Sequence, residues 1–368
     1  MIQIQDHEHV LTQLETLKKA SRDLQNNTIF TSNDSHVASI KLLLDLEIKP
    51  DSVFSTNLNF FSLNQLLCNL KTLLVKLEKY QGLSSLLHSQ IIKYKISQVA
   101  YAIEKEIQAY IDRESVKNLV KVLEKPTDDE EEEKEKIEVL IEFVQRLSNG
   151  FDGDFQDLIL KEKVFSIFER LLDDFTCSKR VRERVSLAIE ALVNFNRNVF
   201  VGLVLMGPTI QALINMNSSC SIRVLCSLIN LIRSPLIDEI HSKGQIPKII
   251  AFLSFNDLSI QVAAMDCICQ IAYFGRREVI EEMIKQGVID KLMELQRSIN
   301  TTDQNPDDDS LFSSWVLRFA VQVEVGEGLS SSEKIEIKLE ILKRVKEASV
   351  SEVETATIVA EVLWGSSP

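Results

Sequence analysis

An eight-residue helical pattern recurs at Ala188–Phe195, Val224–Leu231 and Ala264–Ile271, reading AIEALVNF, VLCSLINL and AMDCICQI. Compact residues stand at its first and fourth places, an apolar residue at the fifth, and an amide at the seventh: Asn194, Asn230 and Gln270, spaced 36 and 40 residues apart. That spacing is the period of a helical solenoid, in which each unit buries its apolar face only against its neighbours. A second landmark keeps the same beat. Gly207-Pro208, Gly244-Gln245-Ile246-Pro247 and Gly287-Val288-Ile289 each precede an apolar helical run, TIQALINM, KIIAFLSF and DKLMELQR. Glycine closes a helix well and proline is tolerated in the first turn of the next, so these are expected breaks between helices. The compact residues let stacked helices approach closely.

These residues carry a resemblance. The start GQIPKIIAFL and the third-helix stretch AIEALVNF look like the armadillo repeat, over about Lys161 to Ile299. Ser115 to Leu147 adds a split repeat, in which Arg146 takes the seventh place. The resemblance implies third helices lining a concave groove, where the motif's asparagine hydrogen-bonds the backbone of an extended peptide. Asn194, Asn230 and Gln270 occupy that place, and an amide can both donate to and accept from a peptide unit. Counting three residues on along a helix puts Arg197, Arg233 and Tyr273 on the same face. The two arginines are expected either to grip acidic or phosphorylated side chains or to stand solvated at the groove edge. Importin-like members of the family carry a tryptophan four residues before each asparagine. Here those places hold Glu190, Cys226 and Asp266, and the two tryptophans, Trp315 and Trp364, lie outside the clear repeats, so binding of nuclear-import cargo is not expected.

The first 110 or so residues lack the repeat. HVLTQLETLKKASRDL, HVASIKLLLDL, FFSLNQLLCNLKTLLVKLEKY and SQIIKYKISQVAYAIEKEIQAYI show apolar residues at three-and-four spacing, which predicts an antiparallel helical bundle. A bundle followed by armadillo repeats resembles the plant U-box ubiquitin ligases and their relatives, carried here by the run from Leu63 to Ile111. No stretch between bundle and repeats has the length or composition of a U-box, so ligase activity is not part of the expectation. The chain is therefore expected to be all-α, with an N-terminal bundle at 1–112, an armadillo-type solenoid at 113–300, and a polar loop and helical cap at 301–368.

Composition narrows the function. Only 11 Gly and 7 Pro in 368 residues suit helices joined by short links. A net charge of −13 disfavours nucleic acid and anionic membrane as partners. Part of that charge is the run TDDEEEEKEKIE, Thr127 to Glu138, read as a solvated loop entering a helix N-terminus or as a docking peptide. The most apolar run, VFVGLVLM, is too short to span a membrane, and the start MIQIQDHEHV has no secretory pattern. The six cysteines sit mostly among apolar helical residues, which fits reduced thiols in the cytoplasm or nucleus. Cys267 and Cys269 point about 200° apart on a helix, a poor arrangement for zinc or a disulfide. His7 and His9 form an H-x-H without a third ligand in reach, and His36, His88 and His241 stand alone. The G-x-G in VGEGL follows no strand and reads as a turn between helices. No catalytic constellation is present, and no cofactor or metal is expected. The expected function is noncatalytic: an adaptor holding an extended protein segment through Asn194, Asn230 and Gln270, with Glu190, Asp266, Arg197, Arg233 and Tyr273 around it. The rival expectation is a substrate-recognition part of a ubiquitin-ligase system.

Overall fold

The computed structural model describes residues 2–26, 58–79, 86–126, 129–300 and 314–364, and every regular element among them is helical. The described residues form two compact units. One lies within 1–118 together with 152–162, the other within 119–151 and 163–368.

The first unit holds α1 (Ile2–Asn26), α2 (Leu58–Lys79), most of α3 (Leu86–Glu124) and α5 (Gly153–Lys161). The three-and-four spacing builds its core. Leu14, Leu17 and Leu24 of α1 meet Leu63, Leu70 and Leu73 of α2 and Ile96, Ile103 and Ile107 of α3. A polar rail fixes the register of α1 on α3: Arg22 donates from Nε and Nη2 to Glu104 Oε1 at 2.9 and 2.7 Å, and Gln25 reaches Glu104 Oε2 at 2.7 Å. The expected helix HVASIKLLLDL, His36, and the side chains of His7 and His9 lie outside the described residues. The boundary between units falls at 118/119, inside the continuous helix α3, rather than at the 112/113 position read from sequence.

The second unit is an α-solenoid. Its helices are α4 (Glu130–Ser148), α6 (Val164–Asp173), α7 (Lys179–Phe195), α8 (Arg197–Met206), α9 (Thr209–Asn215), α10 (Ser219–Ile232), α11 (Ser234–Ser242), α12 (Ile246–Ala251, extended by a 3₁₀ turn), α13 (Leu258–Phe274), α14 (Arg277–Lys285), α15 (Val288–Asn300), α16 (Trp315–Val325), α17 (Ser331–Ala348) and α18 (Glu352–Trp364). The triplets α8-α9-α10, α11-α12-α13 and α14-α15-α16 repeat one arrangement. Each third helix packs on the next, so that α4, α7, α10, α13 and α16 form one continuous layer. First helices α8, α11 and α14 stack likewise, and α17 and α18 close the array against α15 and α16. The motif's first places, Ala188, Val224 and Ala264, are buried in the layer, as close helix approach requires. Residues 314–364 fall in the second unit, and α16 supplies a further third helix beyond residue 300.

The helix breaks have local causes. Gly244 and Gly287 take φ of +63° and +79°, the left-handed conformation that closes a helix and favours glycine. At Gly207 an added Cβ would crowd the movable end of the Glu169 side chain and stand 3.0 Å from the Leu203 carbonyl oxygen. The acidic run is helix rather than loop where it is described. Asp129 caps α4 by accepting from the Glu132 N–H at 2.8 Å, and Glu130 to Glu133 fill the first turn, where carboxylates suit the dipole. VFVGLVLM lies in α8, and no single described helix is long and apolar enough to cross a membrane.

Candidate partner-binding groove

The layer of third helices presents the amide ladder. Asn194 and Asn230 sit in the last turns of α7 and α10 and are exposed, while Gln270 of α13 is half-buried. None of the three amides hydrogen-bonds another described residue. Asparagine is a weak helix former, so an exposed, unpartnered one inside a helix end contributes little to folding. The structure adds a rung that the sequence pattern missed: Gln322 of α16, half-buried and also without a partner among the described residues. Two things hid it. The insertion between α15 and α16 stretches the interval to 52 residues, and the fourth place, compact elsewhere, holds the fully buried Phe319. At the other end, α4 carries Arg146 at the corresponding place.

Two of the three flanking residues are not on the third helices. α7 ends at Phe195 because Asn196 turns extended, φ −152° and ψ 92°, and its side chain caps α8 by accepting from the Asn198 N–H at 3.1 Å. Arg197 is therefore the first residue of α8. Its Nη1 donates to the Leu231 carbonyl at 3.0 Å, near the C-terminus of α10, where a cation suits the dipole. Arg233 lies just past α10 with φ +67°; its N–H donates to the Ile229 carbonyl at 2.6 Å. Helix counting failed at both positions because the helices stop first. Tyr273 does lie on α13.

A loop brings two of these residues together. Val325 to Leu329, VGEGL, is a turn between α16 and α17, as read from sequence, but it also folds over the end of α13. The N–H groups of Glu327 and Gly328 both donate to the Tyr273 carbonyl, at 2.8 and 3.3 Å. The approach is so close that a Cβ on Gly328 would meet the Gly275 carbonyl oxygen at 2.0 Å. The Glu327 carboxylate thereby faces Arg233 Nη1 at 3.4 Å and the Tyr273 hydroxyl at 3.5 Å. Arg233 also lies over the Phe274 ring, 5.5 Å from its centroid. Arg197 and Arg233 are thus engaged within the chain, although both stay exposed.

The motif's third places divide the groove by charge. Glu190 of α7 is half-buried and has no ion pair among the described residues. Asp266 of α13 pairs with Arg318 of α16 at 3.0 Å, and Arg318 stands over Trp315 at 5.5 Å. Beside this pair a cavity of about 480 Å³ opens between α10, α13 and α16. Cys226, Cys269, Leu317 and Val321 line it together with the charged Asp266 and Arg318 and the amides of Gln270 and Gln322, so its walls are as polar as they are apolar. Burial pushes the Cys226 thiol up to about 11 and the Cys269 thiol up to about 12, so both thiols are neutral at physiological pH. Cys267, the other cysteine of the C-x-C, is fully buried. Among the described residues no cluster of His, Cys, Asp or Glu is placed to hold a metal ion.

No family model and no curated protein matches the chain. Solved structures do. A designed armadillo repeat protein is similar at 17% identity, covering 67% of this chain and 97% of that one, with a TM-score of 0.42. A computationally designed armadillo repeat protein for modular peptide recognition matches at 18% identity, 66% and 98% coverage, and a TM-score of 0.43. A designed armadillo repeat protein in complex with the peptide (KR)4 matches at 18%, 66%, 97% and 0.43. At such scores the armadillo-like arrangement rests on this chain's own helix order and packing: three-helix repeats whose third helices form one layer.

Proposed function

We propose that the second unit is a noncatalytic interaction scaffold whose layer of third helices holds an extended segment of a partner protein. The observation that supports this most is the row Asn194, Asn230, Gln270 and Gln322: amides at equivalent places in successive repeats, exposed or half-buried and without partners among the described residues. Amides can satisfy a peptide's N–H and C=O groups whatever its side chains, so the ladder supplies affinity and its surroundings supply selectivity. Arg197 and Arg233 brace the helix ends and border the segment rather than anchor it. With reduced, largely buried thiols, the protein would act in the cytoplasm or nucleus.

The test is affinity purification with the wild type beside a variant carrying Asn194→Ala, Asn230→Ala, Gln270→Ala and Gln322→Ala, after circular dichroism establishes equal helicity. Loss of a defined partner set with the variant is the expected result. Retention of every partner would refute the groove. Co-purification of an E2 enzyme, or of a U-box or RING protein, with the wild type would make the groove a substrate-recognition part of ubiquitylation.

A further inference from the structure

We infer that the outer face of α17 and α18 is an interface between two copies of this chain, which join tail to tail about a two-fold axis. The face is unusual for the end of a repeat array. Stacked repeats bury their apolar sides on one another, and a terminal repeat ordinarily turns a polar side to water. Here Ile337, Ile341 and Val345 of α17 and Ile358 and Val362 of α18 are buried against the array. At 100° per residue, the opposite sides of the two helices carry Ile335 and Leu339 of α17 and Val353, Ala356, Ala360 and Trp364 of α18, all exposed. The two helices pack on each other, so these sides adjoin, and Val350 extends them across the link.

The area matches what a dimer needs. Ile335, Leu339, Val350, Val353, Leu363 and Trp364 each expose between 48% and 82% of their surface. Together they present on the order of 700 Å² per copy. That is close to the ~800 Å² per partner of a stable interface, and above the ~300–600 Å² of the largest patch on a typical monomer.

The charges suit a second copy of the same face. α17 carries Glu336 toward its start and Lys343 and Lys346 near its end, all exposed. Lys346 shares the stripe of Ile335 and Leu339 and has no ion pair among the described residues. Lys343 is held only loosely by Glu340, at 3.8 Å. Glu336 pairs with Arg277 through Oε2 at 2.8 Å and keeps Oε1. When α17 meets α17 of a second copy antiparallel, Leu339 lies close to the axis. Glu336 of each copy then comes opposite Lys343 and Lys346 of the other, whereas a parallel pairing would set like charges together. Both copies use the same surface, so the assembly closes at two.

The test is the mass of the full chain in solution, by sedimentation velocity and light scattering over a concentration series, with helicity followed by circular dichroism. Wild type is expected at twice the mass of one chain, with monomer appearing only on dilution. Leu339→Glu and Leu339→Lys each set like charges near the axis, and Leu339 is exposed, so neither opens the core. Each is expected to weaken the dimer at least ~tenfold, while an equimolar mixture of the two restores it as a heterodimer. That recovery is a gain which a misfolded variant would not show. Val353→Glu is expected to weaken the dimer as well, which ties α18 to the same face. A wild type that stays monomeric at every concentration would overturn the inference, even if it captured another protein. A mass that climbs without limit would mean open head-to-tail stacking and would overturn it too. So would a dimer indifferent to both Leu339 substitutions, or a mixture that fails to re-form one.

Discussion

Gly328→Ala tests whether the loop after α16 is held against α13 as tightly as its geometry requires. The added methyl carbon would lie 2.0 Å from the Gly275 carbonyl oxygen and 2.6 Å from its carbon, both backbone atoms that no rotamer change can move. Relief requires the loop to lift. Lifting gives up two hydrogen bonds to the Tyr273 carbonyl, at 2.8 and 3.3 Å. Overpacking costs about 1–3 kcal/mol, and each lost hydrogen bond about 0.5–1.5 kcal/mol, so the variant should lose roughly 2–6 kcal/mol. For a unit of this size, about 2–4 °C of melting temperature accompanies each kcal/mol, which predicts a drop of at least several degrees. Gly153→Ala is the control, because a Cβ there meets nothing within 4 Å and φ is not left-handed. The assay is thermal unfolding by circular dichroism, paired with hydrogen exchange read at the ends of α13 and α16. Faster exchange there in Gly328→Ala, with α1 to α3 unchanged, would place the loss at the loop. A Gly328→Ala protein that melts and exchanges like the wild type would refute the claim that this contact is close and unyielding.

Two further outcomes are expected. Glu169 is half-buried beside Gly207 and accepts from the Thr209 hydroxyl at 3.0 Å, and burial raises its carboxyl above the ordinary range. A group that holds its proton more tightly folded than unfolded destabilises the fold while ionised, so Glu169→Gln should raise the urea midpoint at neutral pH. The gain should vanish as pH falls below the unfolded carboxyl value of about 4.3, where both states are protonated; an equal gain at pH 7.5 and 3.5 would refute the assignment. Cys68 is exposed whereas Cys267 is fully buried and Cys269 nearly so, so iodoacetamide followed by peptide mass spectrometry should mark Cys68 first and the α13 pair only after denaturation. Early labelling of Cys267 would show that α13 opens in the native state.

The features that could be read from the sequence share one property: they depend on residues close together in the chain. The 3.6-residue periodicity that makes α1, α2 and α3 bury Leu17, Leu70 and Ile103 is local, and so are the glycines that end helices before α12 and α15. Recurrence at 36 and 40 residues then exposed the solenoid and three rungs of its ladder, because each repeat meets the same packing demand. The reading weakened where local order was interrupted. The insertion before α16 broke the beat and hid Gln322, and the stops at Phe195 and Ile232 put Arg197 and Arg233 onto helix ends rather than helix faces.

Sequence alone thus determined the all-helical class, the repeat, and the helices that present Asn194, Asn230 and Gln270. Tertiary structure alone decided which charges remain available, since Arg233 meets Glu327 across 94 residues and Arg318 meets Asp266 across 52. It also decided that Cys226, Cys269, Leu317 and Val321, from three different helices, should line one cavity. Helix periodicity is written in neighbouring residues, whereas ion pairs and cavities belong to surfaces that become neighbours only when repeats stack.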